Sequence, residues 1–177
     1  MKKIILYGSR YGSSRRYAEQ LSALSGIPTA SFADAHALSD AKILVYVGGL
    51  YAGGVLGMKK VLRAHAPVPD QRLIVATVGL ADPSLAENVQ NIRASLQKQL
   101  SPGWFARASL FHLRGAIDYQ KLSPGHRAAM ALLYQSLRKT PPEKQTAEDQ
   151  ALVETYGKRV DFVDFSALSP ILEALLK

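Results

Sequence analysis

The chain has no cysteine, which excludes disulfides, thiolate nucleophiles and cysteine-ligated metals or clusters and suits a reducing compartment. Long apolar runs are also missing. Lys2-Lys3 precedes only Ile4-Ile5-Leu6, where the core of a secretory leader needs roughly seven apolar residues. No segment approaches the ~18 apolar residues of a membrane span. A cytoplasmic protein is expected, with at most a peripheral contact at the inner face of the membrane. Acidic side chains are scarce beside basic ones, 14 against 22, giving a formal charge of +8. Such a field favours phosphates, anionic lipid or acidic partners and is silent about fold.

Several chemical signatures are absent too. The four histidines, His36, His65, His112 and His126, are scattered without metal-ligand spacing, so no metal is expected. There is no Gly-x-Ser-x-Gly elbow for a serine nucleophile. Asp118 and Glu19 have no partner carboxylate for acid–base work, and no catalytic side chain is assigned. Basic residues are spread along the chain with no nucleic-acid recognition motif, so nucleic acid is not an expected partner. Gly-x-Gly-x-x-Gly does not occur. Gly48 and Gly53 have the separation of a P-loop, but Gly54-Val55 follows where Lys-Ser/Thr is needed.

What remains is an alternation of short apolar strands and helices. Strands are expected at 3–8, 29–32, 42–47, 72–78 and 108–116. Helices are expected at 13–24, 58–65, 85–100 (with Ser84 as N-cap), 124–138, 147–160 and 166–176. Near-continuous apolar strands joined by helical crossovers make a parallel sheet covered on both faces. The expectation is one α/β domain over 1–177, doubly wound and five-stranded in the order 2-1-3-4-5, with an insert or extended loop and helix at about 117–147. Ligands of such sheets sit at the carboxyl ends of strands. Three of those ends carry glycine-rich loops, at 8–13, 48–57 and 79–84.

The first loop reads Ser9-Arg10-Tyr11-Gly12-Ser13-Ser14, between a strand and a helix. Its hydroxyls and backbone N–H groups, with the positive end of the helix, could surround a phosphate monoester; an ordinary βα turn capped by Ser13 or Ser14 is the alternative. The stretch "ILYGSRYGSS", residues 5–14, resembles the FMN-phosphate signature of the flavodoxin family: Ile5, Leu6, Tyr7, Ser9 and Gly12 match, and Ser14 stands where threonine is usual. The resemblance implies a flavodoxin-like fold, FMN as cofactor and electron-transfer function. It places Ser9, Arg10, Tyr11, Gly12, Ser13 and Ser14 around the phosphate. It frames the flavin ring with Gly49, Leu50, Tyr51, Ala52, Gly53 and Gly54 of the second loop and Val78, Gly79 and Leu80 of the third. Tyr51 is then the stacking aromatic, and the third loop offers backbone donors and acceptors to the pyrimidine edge.

Carrier flavodoxins are typically acidic, and this chain is basic. Its layout is similar to the flavodoxin-like protoporphyrinogen dehydrogenases, single-domain FMN proteins that pass electrons to membrane quinones. That similarity rests on "MKKVLRAHA" after the second loop and on "LRGAIDYQKLSPGHRAAMALLYQSLRK", with Gly115, Ala116, Tyr119 and a helix after Pro124. It implies an FMN-dependent oxidoreductase with a small-molecule or quinone redox partner. A bulkier second loop is usual in that branch where this chain has Ala52 and Gly53, so another donor or acceptor stays open. A soluble flavodoxin-type carrier, and a flavodoxin-fold binding module without FMN, remain as alternatives. On the helix at 124–138, Ala129, Met130, Leu133 and Leu137 form an apolar arc flanked by Arg127, Arg138 and Tyr134. That face suits anionic lipid or, equally, packing on the sheet with a basic rim.

Overall fold

Successive side chains of the first apolar run go to opposite sides of a sheet: Ile4 and Leu6 join one core, Ile5 the other. This run is β1 (Lys3–Gly8) in a computed structural model that describes residues 2–34, 41–51, 53–63 and 65–177. Parallel to it lie β2 (Thr29–Ser31) and β3 (Ile43–Tyr51). The two-residue β4 (Gly54–Val55) folds back antiparallel on the end of β3, and β5 (Arg72–Gly79) and β6 (Ala108–Arg114) complete the sheet. The order is β2-β1-β3-β5-β6. The five parallel strands thus stand 2-1-3-4-5 among themselves, and β4 is the addition. The register is continuous: Ile5 faces Val45, Val45 faces Ile74, and Ile74 faces Ser109.

Helices cover both faces. α1 (Ser13–Ser25) lies on one side; α2 (Met58–Arg63), α3 (Ala86–Gln99) and the single turn α4 (Pro102–Phe105) lie on the other. The side of α2 to α4 holds Leu6, Leu44, Tyr46, Met58, Val75 and Leu96, with Trp104 donating its Nε1–H to the carbonyls of His65 (2.9 Å) and Leu62 (3.3 Å). Beyond β6 the chain forms a two-stranded ribbon, β7 (Ala116–Asp118) with β8 (Arg159–Asp161), enclosing α5 (Pro124–Lys139) and α6 (Ala147–Thr155). α7 (Ser169–Leu176) returns to pack beside α1, where Tyr17, Leu21, Val45, Val47, Ile74 and Ile171 form the second core. No helix among the described residues is long and apolar enough to cross a membrane.

The structure departs from expectation where glycine and polar residues do specific work. The stretch 48–57, expected as a loop, continues β3 to Tyr51 and turns back as β4, with Leu50 opposite Val55. Gly48 serves close packing there: a Cβ would fall 2.1 Å from Val55 Cγ1. Gly53, at φ 77°, makes the turn. Ser84 does not cap α3, whose N-cap is Leu85; its N–H goes instead to the Asp82 carboxylate at 2.8 Å. The helix expected to reach 160 stops at Thr155, because Gly157, at φ 73°, turns the chain into β8. The last helix begins with a 3-10 turn, Phe165–Leu168. Ala52 and His36 lie outside the described residues, as does the last expected turn of the helix at Ala64.

Tyr17 ties three distant segments together. Its hydroxyl donates to the Arg114 carbonyl at 2.8 Å and accepts from the Asp164 N–H at 2.9 Å, and the side chain is fully buried. Tyr17→Phe leaves both backbone groups unpaired and is expected to cost about 1–3 kcal/mol in urea unfolding. His112 of β6 sits 2.7 Å from Thr77 Oγ1 of β5. Burial, helped by the nearby Arg93 charge, holds its pKa below the ordinary 6.5. The unfolded chain therefore takes up this proton first. Stability is fully present above about pH 6.5 and declines as pH falls from there through the lower folded value. His112→Gln is expected to flatten that slope, read as the urea midpoint at about pH 7.5 against about pH 5.

Candidate functional site

The carboxyl ends of β1, β3 and β5 open onto one cavity of about 680 Å³, within the range of small-molecule sites. Of the residues assigned to the site from sequence, Ser9, Arg10, Tyr11, Ser13, Ser14, Gly49, Leu50, Tyr51, Gly53, Gly54, Val78, Gly79 and Leu80 all line it. Gly12 stands behind the lining, and Ala52 is outside the described residues.

β1 ends on Gly8, where any Cβ would collide with the Leu56 carbonyl, and the first loop runs from there to α1 at Ser13. Gly12 then takes the left-handed conformation, φ 95°, and starts α1 without a side-chain cap. Its N–H goes to Ser9 Oγ at 3.1 Å. Ser13 Oγ accepts from the Ala116 N–H at 2.9 Å, which ties the loop to β7. The third hydroxyl, Ser14 Oγ, finds no hydrogen-bond partner among the described residues, although Ser14 is only 2% exposed. The first turn is equally open: Arg16 N–H bonds to the Gly12 carbonyl, while the N–H groups of Ser13, Ser14 and Arg15 have no acceptor among the described residues. The end of α1 is thus a cluster of unused donors carrying the positive end of the helix dipole.

At the rim, sequence reasoning missed a participant. His126, read as one of four scattered histidines, is the centre of a contact among the first loop, the hairpin and α5. Its Nε2 lies 3.0 Å from the Tyr51 hydroxyl and its Nδ1 2.8 Å from Ser123 Oγ. The rings of Tyr11 and Tyr51 meet it edge-on, with centroids 5.9 and 6.1 Å away. The Arg10 guanidinium is held here too, 5.6 Å above the Tyr51 ring and 3.5 Å from His126 Nδ1. Tyr51 is therefore edge-packed and hydrogen-bonded, with Arg10 over its face.

The third loop brings a second unforeseen side chain. The N–H groups of Leu80 and Ala81 donate to Glu148, at 2.9 Å to Oε1 and 3.0 Å to Oε2. The donors that the sequence had left open for a ligand are taken by this carboxylate. It comes from α6, whose start is fixed by a Thr146–Asp149 capping box. Gly79 makes room for it, since a Cβ there would come 3.0 Å from Glu148 Oε2 and 2.9 Å from Leu50 Cδ1. From behind, Arg114 donates through Nε and Nη2 to the Leu80 carbonyl at 3.1 and 2.9 Å, its guanidinium 3.8 Å from the Phe162 ring centroid.

Beyond the loops the cavity continues between α3, α5 and α6, along Asn88, Asn91, Ile92 and Ser95 on one side and Ala129, Met130, Leu133 and Leu152 on the other. Of the apolar arc considered for lipid, Ala129, Met130 and Leu133 border this chamber, with Leu133 still 41% exposed, and Leu137 is buried; Leu132, on the outside, is 70% exposed. A stack of Tyr134 of α5 on Tyr156, 3.8 Å apart and 4° from parallel, joins the roof to the end of α6. Among the described residues no group of histidine and carboxylate side chains converges for a metal ion.

The flavodoxin-domain family model matches residues 4–144, which includes all three loops and α5. No curated protein matches the chain. Among solved structures, oxidised Flavodoxin 1 from Bacillus cereus is similar over 80% of this chain and 100% of its own (11% identity, TM-score 0.44). The Trp repressor binding protein from Bacillus subtilis is similar over 90% and 100% (16% identity, TM-score 0.42). A flavodoxin from the domain Archaea is similar over 64% and 85% (12% identity, TM-score 0.41). With the model match spanning most of the chain, the protein belongs to the flavodoxin-domain family.

Proposed function

We propose that the chain binds FMN in this cavity and acts as an FMN-dependent oxidoreductase on a small organic molecule. The observation that carries the reading is the start of α1: an unpartnered Ser14 Oγ on the cavity wall and three successive N–H groups without acceptors among the described residues, beside a cavity of ligand size. A phosphate dianion would satisfy such donors, and an uncapped helix start favours one electrostatically. In this reading Ser14 and the backbone of Ser13 to Arg15 hold the phosphate. Leu50, Tyr51, Gly79 and Leu80 frame the ring. When bound, FMN supplies the one- or two-electron chemistry, and the protein's part is position, electrostatics and exclusion of water.

The chamber between α3, α5 and α6 favours a small reactant over a purely carrier role, because it extends the cavity past the loops under a helical roof. The resemblance to quinone-linked protoporphyrinogen dehydrogenases supplies the first donor and acceptor to try. A soluble flavodoxin-type carrier is the second reading, supported by the family match. It is distinguished by the lack of turnover with any small donor. The charge of +8 leaves a peripheral contact with anionic lipid open to vesicle binding that fades with salt.

The test compares FMN with riboflavin, which lacks the phosphate, by quenching of flavin fluorescence on titration with protein. Wild type is expected to prefer FMN. Ser14→Ala is expected to weaken FMN about tenfold or more through loss of one hydrogen bond to a charged group, while leaving riboflavin unchanged. Equal loss for both ligands would remove the α1 start from the phosphate site. Absence of binding by either flavin would end the flavoprotein reading.

A further inference from the structure

The Glu148 carboxylate occupies the part of the cavity wall that a ring ligand would be expected to use. Both oxygens accept, one each, from the N–H groups of Leu80 and Ala81. No cation among the described residues lies within ion-pair distance of it, and its polar partners among them are these two backbone donors. The arrangement resembles a bound ligand more than a framework ion pair: a carboxylate, supplied by the chain itself, on two consecutive backbone donors beside a bare Gly79 Cα.

We propose that Glu148 is an internal competitor of the cofactor, holding the third loop's donors until the flavin's ring edge, with acceptor atoms of its own, displaces it. The proposal rests on the FMN reading above. Displacement needs only a rotation of the Glu148 side chain, because the Thr146–Asp149 capping box holds the start of α6 without it. A ligand that binds a competent state populated only in part shows a correspondingly reduced apparent affinity. Removing the competitor therefore tightens binding. A carboxylate that merely braced the loop would do the reverse on removal.

The experiment uses the full chain and FMN, with wild type, Glu148→Gln and Glu148→Ala. Glu148→Ala is expected to bind FMN about tenfold more tightly than wild type, and Glu148→Gln, whose Oε1 still accepts from one of the two N–H groups, to bind it more tightly by a smaller factor. Without FMN, both are expected to speed amide hydrogen exchange at Leu80 and Ala81, which shows the donors released independently of any cofactor. Unchanged or weaker FMN binding by both variants, with wild type binding normally, overturns the competitor and leaves the FMN reading intact. Failure of all three proteins to bind FMN overturns both. Binding by the variants but not by wild type supports the proposal in its strongest form.

Discussion

Everything at the site depends on one constraint of the parallel sheet: the strands all end at the same edge, and the backbone leaving each of them must turn there without a neighbour to pair with. In β1 the last residue must be glycine because the Leu56 carbonyl occupies the place of a Cβ, and α1 starts at Ser13 from a left-handed glycine with no side chain to cap it. The unsatisfied donors at the start of α1 are therefore a product of topology, not of loop composition alone. β3 meets the same problem by turning back on itself as β4, and β5 by giving its next N–H groups to a carboxylate from another segment. Three strand ends find three different solutions, and only the first leaves its donors unused.

Local sequence carried the framework well and the roof badly. β1, β3 and β5 are legible as apolar runs because a parallel strand is buried on both faces, and Ile5, Val45 and Ile74 do lie in one row across the sheet. The hydroxyl-rich loop is legible because its residues act within a few positions of one another, as with Ser9 and Gly12. Glu148 and His126 are not, since their partners lie 68 and 75 residues away and nothing around them marks the pairing. The second loop misled for a different reason. Glycine signals both looseness and close packing, and at Gly48 it is the latter: the missing Cβ is the space that Val55 fills.

Charge is distributed in a way the total of +8 conceals. The cavity is lined by Arg10 and His126 on one side and by Glu148 and Asp149 on the other, so the basic excess is not concentrated inside it. Arg10 is committed to the Tyr51 ring and the edge of His126. Compensation of a phosphate at α1 would then fall mainly to dipoles and neutral donors, which act within the first turn of the helix. The surplus cations of α5, Arg127, Arg138 and Lys139, lie outside and would act on whatever approaches the roof.

The roof bears on the choice between carrier and enzyme. A carrier works by presenting the ring edge to another protein, so its site must be reachable by a large surface. Here α5 and α6 stand over the cavity, and the contact of Tyr51 with His126 joins the roof to the hairpin beneath it. With FMN bound as proposed, a protein partner would meet helix before the ring, whereas a small molecule would fit the chamber beneath α5. The roof is held by Leu137, by Met130 and Tyr156 against the cluster of Ile117, Tyr119 and Leu122, by the Tyr134–Tyr156 stack, by the His126 contact at the rim and by Glu148 on two amides. Segments at the edge of a fold with few buried side chains open locally at less than the global unfolding free energy. A cover that closes a reaction chamber has to combine both properties, shutting out water when seated and moving at little cost when a reactant arrives.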